Sequence, residues 1–109
     1  MCVNYEPSHD VISGNTDLRF VVNGWGKRIR HIHLKDAVGI MQPGQFVFPM
    51  LGEGVADWEG FKAGLSDIGY DGVMSVEFES PCLDVYYGGD LALAARSSMQ
   101  AIRALGLDQ

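Results

Sequence analysis

Polar and apolar residues alternate over Cys2-Val3-Asn4-Tyr5-Glu6, with Val3 and Tyr5 on one side and Asn4 and Glu6 on the other. Side chains alternate across a strand, so this predicts a short strand over 2–6, ended by Pro7, which cannot donate to a ladder. Residues 8–15 read as a loop. Beyond them Leu18, Val21, Val22 and Trp25 fall at i, i+3, i+4 and i+7. That spacing predicts an amphipathic helix over 17–25, with Asn15 or Thr16 as its cap, Asp17 in its first turn and Gly24 or Gly26 as its stop. Alternation returns in Arg30-His31-Ile32-His33-Leu34-Lys35, predicting a strand over 29–35. His31, His33 and Lys35 share one face of it, and Arg30, Ile32 and Leu34 the other.

Residues 37–54 show no sustained period and read as a long loop of the kind that is functional or disordered in compact domains. Asp57 then caps a helix over 57–68, whose stripe is Trp58, Phe61, Leu65 and Ile68 and whose C′ residue is Gly69. A strand over 73–79 places Met74, Val76 and Phe78 opposite Val73, Ser75, Glu77 and Glu79. After the loop SPCLDVYYGG comes a helix over 90–105, apolar at Leu91, Ala94, Ala95, Ser98, Ile102 and Leu105. The order β-α-β-α-β-α implies right-handed parallel crossovers within one domain. There is no internal sequence repeat and no low-complexity segment.

Each strand has a polar face: Asn4/Glu6, His31/His33/Lys35 and Ser75/Glu77/Glu79. Strands of a doubly wound sheet, covered on both sides, read instead as continuous apolar runs. In a barrel the helices cover only the outside, and a solvent-accessible site sits at the C-terminal strand ends. Two carboxylates and one or two imidazoles converging there form an N/O donor set suited to Mn²⁺, Mg²⁺, Co²⁺ or Zn²⁺. Taken singly these residues have plainer readings: histidines hydrogen-bonded on a strand, and Glu77 as an ion-pair partner of Lys35. Their presence on three successive strands is what favours a metal.

Composition narrows the partners. The formal net charge is −6 and the only basic cluster is Lys27-Arg28-Ile29-Arg30, which argues against a nucleic-acid partner. No stretch has the roughly 20 consecutive apolar residues of a membrane span, and MCVNYEPSHD has no signal-peptide pattern, so a cytoplasmic location is expected. Cys2 and Cys82 form no CxxC pair and read as spectator thiols. Trp25, Trp58 and Phe61 read as core, while Phe46 or Phe48 in the long loop could cover a substrate or anchor the loop. Arg28 and Asp36 are expected in ion pairs at the rim, worth little if exposed.

The stretches NYEPSH, GKRIRHIHLKD, LGEGVADWEGFKAGLSDIGYDG and VMSVEFES resemble, in order and spacing, the C-terminal part of the xylose-isomerase-like TIM-barrel family, which includes sugar-phosphate isomerases and ketose 3-epimerases. The resemblance implies the last three βα units of a (β/α)8 barrel: parallel strands, helices on the outer face, and a partial barrel overall. It implies a divalent metal held by Glu6, His33 and Glu77, with Glu77 also the catalytic acid/base, and substrate contacts from His9 and Lys35. His31 becomes a neighbour rather than a ligand. Glu6 departs from the family's aspartate by one methylene.

The strand that carries the family's first metal-binding glutamate is absent, and a whole barrel takes about 250 residues. The implied function is therefore a portion of a metal-dependent sugar or sugar-phosphate isomerase/epimerase, working by proton transfer through an enediolate on a small carbohydrate. The chain alone, as a truncated piece, is expected to lack full activity and could lack the metal. The competing reading is a non-catalytic half-barrel that self-associates, and either way the open sheet edge predicts a homo-oligomer. DNA-repair endonucleases share this barrel, but need more His and Asp ligands and a basic surface.

Overall fold

The computed structural model describes residues 2–77 and 88–108. Its elements are β1 (Val3–Tyr5), α1 (Pro7–Ile12), α2 (Leu18–Trp25), a 3-10 turn (Gly26–Arg28), β2 (Ile29–Leu34), β3 (Val38–Gly39), β4 (Phe46–Val47), α3 (Trp58–Ile68), β5 (Val73–Val76) and α4 (Leu91–Leu105). β1, β2 and β5 form a parallel sheet with β2 in the middle, and β3 and β4 make a separate antiparallel pair. The fold is therefore α/β with parallel strands, and among the described residues the sheet does not close. No helix there is long and apolar enough to cross a membrane. Of the third expected strand, Phe78 and Glu79 lie outside the described residues, as do Cys82, Tyr86 and Tyr87 of the following loop.

The apolar face of the sheet lies against the helices. Tyr5, Ile32 and Leu34 join Leu18, Val21 and Val22 of α2 and Trp58 and Phe61 of α3 in one buried cluster, with Met74, Val76, Ile102 and Leu105 packed at its margin. Tyr5 stacks on Phe61, whose ring meets Trp58 edge-on. α3 and α2 approach closely because Gly64 is buried between them, where an added Cβ would stand 2.9 Å from Cβ of Val22. α3 begins at Asp57, whose carboxylate accepts from the Gly60 amide, and ends at Gly69 with φ 66°, a left-handed conformation that glycine adopts without a Cβ clash.

Five local expectations change. Residues 8–12 of the supposed loop are helical: Pro7 sits at the first helical position, where its missing N–H and fixed φ do no harm, and Val11 and Ile12 are buried. The long loop contains the β3–β4 hairpin. Asp17, not Asn15 or Thr16, caps α2, its carboxylate accepting from the Phe20 amide. Trp25 is 38% exposed and carries the Arg28 guanidinium 5.2 Å from its ring centroid. Arg28 also donates to the Trp25 and Gly24 carbonyls, so it closes the C-terminus of α2 in place of the expected rim ion pair.

The middle strand is irregular at its start. Val3 pairs with Ile29 and Asn4 with His31, so Arg30 is an extra residue on β2. This bulge lets Ile29 and Ile32 both be buried and turns Arg30 outward, away from the apolar face on which strict alternation places it.

A surface pair ties α2 to α3. Arg19 donates to both oxygens of Asp67 at 2.7 and 3.0 Å, and Asn23 adds a third bond at 2.9 Å. These donors hold the Asp67 carboxyl at about 2, below its ordinary 3.8. A depressed carboxylate adds stability that is fully present above its unfolded value and is lost as pH falls through its folded one. The melting temperatures of the native protein and Asp67→Asn should differ by a constant amount above about pH 4, and the gap should close toward pH 2. A gap independent of pH down to 2 would show that the pair contributes nothing to stability.

Candidate metal and acid–base site

Glu6 owes its position to the junction between β1 and α1. It is the residue before the helix, in extended conformation (φ −134°), and Pro7 starts the helix directly behind it. The turn of α1 then brings Ser8 and His9 back onto its carboxylate: Ser8 Oγ donates to Oε2 at 2.8 Å, and His9 Nε2 lies 2.9 Å from the same oxygen. Register supplies the rest. Tyr5 pairs with Ile32 and Leu34 with Val76, and the Glu77 amide donates to the Leu34 carbonyl. The residues just past β1 and β5 thus flank His33 and Lys35.

Nδ1 of His33 lies 3.9 Å from Oε1 of Glu6 and 3.7 Å from Oε2 of Glu77. One donor atom from each of Glu6, His33 and Glu77 falls within 4.8 Å of the others. Ligand bonds of about 2.0–2.2 Å hold donors no more than about 4.4 Å apart, so a slight contraction suffices for a shared cation. Oε2 of Glu77 is buried, and no donor among the described residues meets it with hydrogen-bond geometry. The Lys35 ammonium lies 3.3 Å from that oxygen, and two carboxylates with an imidazole within this reach form a donor set that fits a hard or borderline divalent ion.

The two carboxylates titrate as a pair. Burial is the main cause that raises Glu6, and the bond it shares with Glu77 raises it further, against the lowering effects of Ser8, Lys35 and His9. The same shared bond is the main cause that lowers Glu77, helped by Lys35 and His33. Side-chain exposures of 12% for Glu6 and 33% for Glu77 support that split, because the drier group keeps the proton.

Lys35 points into the same space and is 4% exposed, with Nζ 3.5 Å from Oε2 of Glu6 and 3.3 Å from Oε2 of Glu77. The Phe48 ring covers it at 4.0 Å. Of the two loop aromatics, Phe48 is thus the one at the site; it also meets the His9 ring edge-on, while Phe46 packs against Phe48. His31 is turned aside: its Nε2 is 2.9 Å from Ser75 Oγ, and its ring abuts that of His33. His9 is largely exposed beside Glu6.

Two residues at the site were missed or misread from sequence. Ser8 is wholly buried and serves Glu6, which the short helical spacing Ser8, Val11, Ile12 could have revealed. Asp36 is no rim ion pair. It is 1% exposed, its Oδ1 accepts from the amides of Ala37 and Ala56, and its Oδ2 accepts from those of Gly52 and Gly54 and from the Trp58 indole. Sequence offers no signal for this, because three of the five donors are backbone amides 16 to 20 residues on.

A cavity of about 660 Å³, lined by Lys62, Tyr70, Asp71, Met74 and Leu107, lies at the N-terminal end of β5, away from the carboxylates.

Parallel strands with helices against one face and polar side chains gathered at the C-terminal ends are features shared with TIM-barrel α/β proteins. Residues 2–105 match the family of xylose isomerase-like TIM barrels, and the chain belongs to that family. It is similar to the crystal structure of a xylose isomerase domain protein from Planctomyces limnophilus, with a TM-score of 0.68 and 24% identity. That likeness, which is one of fold, covers 96% of this chain and 39% of the other, so the chain spans well under half the length of its relative. A search of curated proteins finds no match.

Proposed function

We propose that the chain forms the last three βα units of a TIM barrel and carries part of the site of a divalent-metal-dependent sugar or sugar-phosphate isomerase/epimerase. The observation behind this reading is the convergence of Glu6, His33 and Glu77 at the ends of three neighbouring parallel strands. Glu6, His33 and Glu77 would hold the ion, which when bound supplies Lewis-acid polarisation of a substrate carbonyl. The longer arm of Glu6, compared with the family's aspartate, is accommodated by Ser8 and His9, which pin Oε2 and leave Oε1 toward His33.

The remaining chemistry belongs to the chain's own side chains. Glu77 is the more exposed carboxylate and is held low, so it is an anion at neutral pH and can take the proton from the carbon beside the carbonyl. The charge of the resulting enediolate faces Lys35, and His9, exposed at the rim, is placed to bind a substrate hydroxyl. A second acid/base, needed to return the proton on the other side, belongs to the rest of the barrel. The chain by itself then binds metal and turns over little.

Calorimetric titration of Mn²⁺ into the purified protein tests this. Native protein should bind, and His33→Ala and Glu77→Gln should each lose at least the roughly 10–100-fold that removal of a mere supporting contact costs. Equal, negligible binding in all three proteins would remove the metal site. A second reading, a self-associating half-barrel, is favoured by the edges of β1 and β5, which are unpaired among the described residues, and by the exposed Val73 on β5. Size-exclusion chromatography with light scattering decides it: a folded monomer at micromolar concentration sinks that reading.

A further inference from the structure

Lys35 has no place in the ligand set, yet its side chain is more deeply buried than that of Glu6, His33 or Glu77. Its ammonium sits in a box with Oε2 of Glu6 at 3.5 Å, Oε2 of Glu77 at 3.3 Å and the Phe48 ring face at 4.0 Å. The two glutamates differ in what it touches. Oε2 of Glu6 is already committed to Ser8 and His9, and Oε1 is the oxygen turned toward His33, so on this side the ammonium and a metal use different atoms. On Glu77 they use the same one: Oε2 is both the oxygen nearest Lys35 and the oxygen 3.7 Å from Nδ1 of His33.

We propose that the Lys35 ammonium is a built-in cation that competes with the divalent metal for Oε2 of Glu77, so that metal binding must displace it. The inference rests on the metal-site reading above and adds what sets the site's affinity. Its physical basis is charge. Glu6 and Glu77 bring two negative charges, and Lys35 cancels one of them before any metal arrives. Bound metal and ammonium also repel each other, and the ammonium is buried, where charges act more strongly than in bulk solvent. Phe48 stabilises the ammonium in place by presenting its negative ring face. Removing the lysine charge should therefore tighten metal binding, the reverse of what loss of a ligand or of a supporting contact does.

The experiment compares Mn²⁺ affinity, by calorimetry or electron paramagnetic resonance, in native protein and Lys35→Met, with circular dichroism to verify folding. Methionine keeps much of the stem's volume and apolar packing. The expected result is affinity at least tenfold higher in Lys35→Met. Equal or weaker binding by the folded variant overturns the competition while leaving the metal site standing. No binding in either protein removes the metal site and this inference together.

A measurement on native protein covers the case in which the variant does not fold. The Lys35 side-chain ammonium resonance is followed by NMR while diamagnetic Mg²⁺ or Zn²⁺ is added. Displacement predicts that its shift and its protection from solvent exchange change in step with occupancy. An unchanged resonance at saturation overturns the proposal.

Discussion

Asp36→Ala should unfold the protein or leave it close to unfolded in water. The carboxylate is the acceptor for the amides of Ala37, Gly52, Gly54 and Ala56 and for the Trp58 indole. Each donor left unsatisfied in a buried setting costs about 1–3 kcal/mol, and domains of this size hold roughly 5–15 kcal/mol in all. The loss is shared by distant parts of the chain, because the same carboxylate fixes the end of β2, the segment leading into α3 and the first residue of that helix.

Asp36→Asn should recover part of the loss, since it keeps one acceptor but aims an N–H₂ at the donors on the other side. Trp58→Phe, which deletes a single donor and keeps the ring, should cost only about 1 kcal/mol in hydrogen bonding, with a packing loss besides. The crowding is tight: a Cβ at Gly54 would land on Oδ1 of Asp36. Urea unfolding followed by circular dichroism gives the order native, Trp58→Phe, Asp36→Asn, Asp36→Ala. An unchanged midpoint in Asp36→Ala would show that these bonds carry no stability.

Glu6→Gln should move metal affinity and stability in opposite directions. Metal binding should fall by at least the roughly 10–100-fold attached to a lost supporting contact, because in the proposed site Oε1 of Glu6, turned toward His33, would be the oxygen offered to the ion. Stability without metal should rise. The folded carboxyl is raised, chiefly by burial, so the native state prefers it protonated. Such a group stabilises fully below its unfolded value, ordinarily 4.5, and that contribution is lost as pH rises through the raised folded value.

At neutral pH the buried anion is therefore a burden on the fold that glutamine does not impose. Glu77 works in the other sense: being lowered, it stabilises above its unfolded value and loses that as pH falls. The gain from Glu6→Gln should appear at neutral pH and shrink on acidification toward the ordinary carboxylate range. A melting temperature at pH 7 below that of native protein would contradict this. Trading stability for function in this way is common where a site gathers like charges.

The three parallel strands, the helices α2, α3 and α4 and the polar face at the strand ends were legible in the chain, because each depends on local periodicity. Alternation in His31-Ile32-His33-Leu34-Lys35 requires that one side of β2 be polar, whatever packs around it. Capping by Asp57 and termination at Gly69 are equally local, since the groups involved lie within a turn. Failures came where residues distant in sequence or a change of register decided the outcome. Arg30 left its expected face because of a bulge, and Trp25 remained partly exposed with the Arg28 guanidinium over its ring. Asp36 became the anchor of a loop through donors with no sequence signature.

By itself, the sequence determined which residue types reach the ends of the strands and that they form a carboxylate–imidazole set, since strand period and resemblance both act through the order of residues. Tertiary structure alone decided how those residues divide the work. It set Oε1 of Glu6 toward His33 by fastening Oε2 to Ser8 and His9, turned His31 to Ser75, and laid Lys35 against the oxygen of Glu77 that a metal would need. The reason is physical: ligand geometry and charge competition depend on distances of a few ångströms between strands, and these arise only when register and packing bring the strands together.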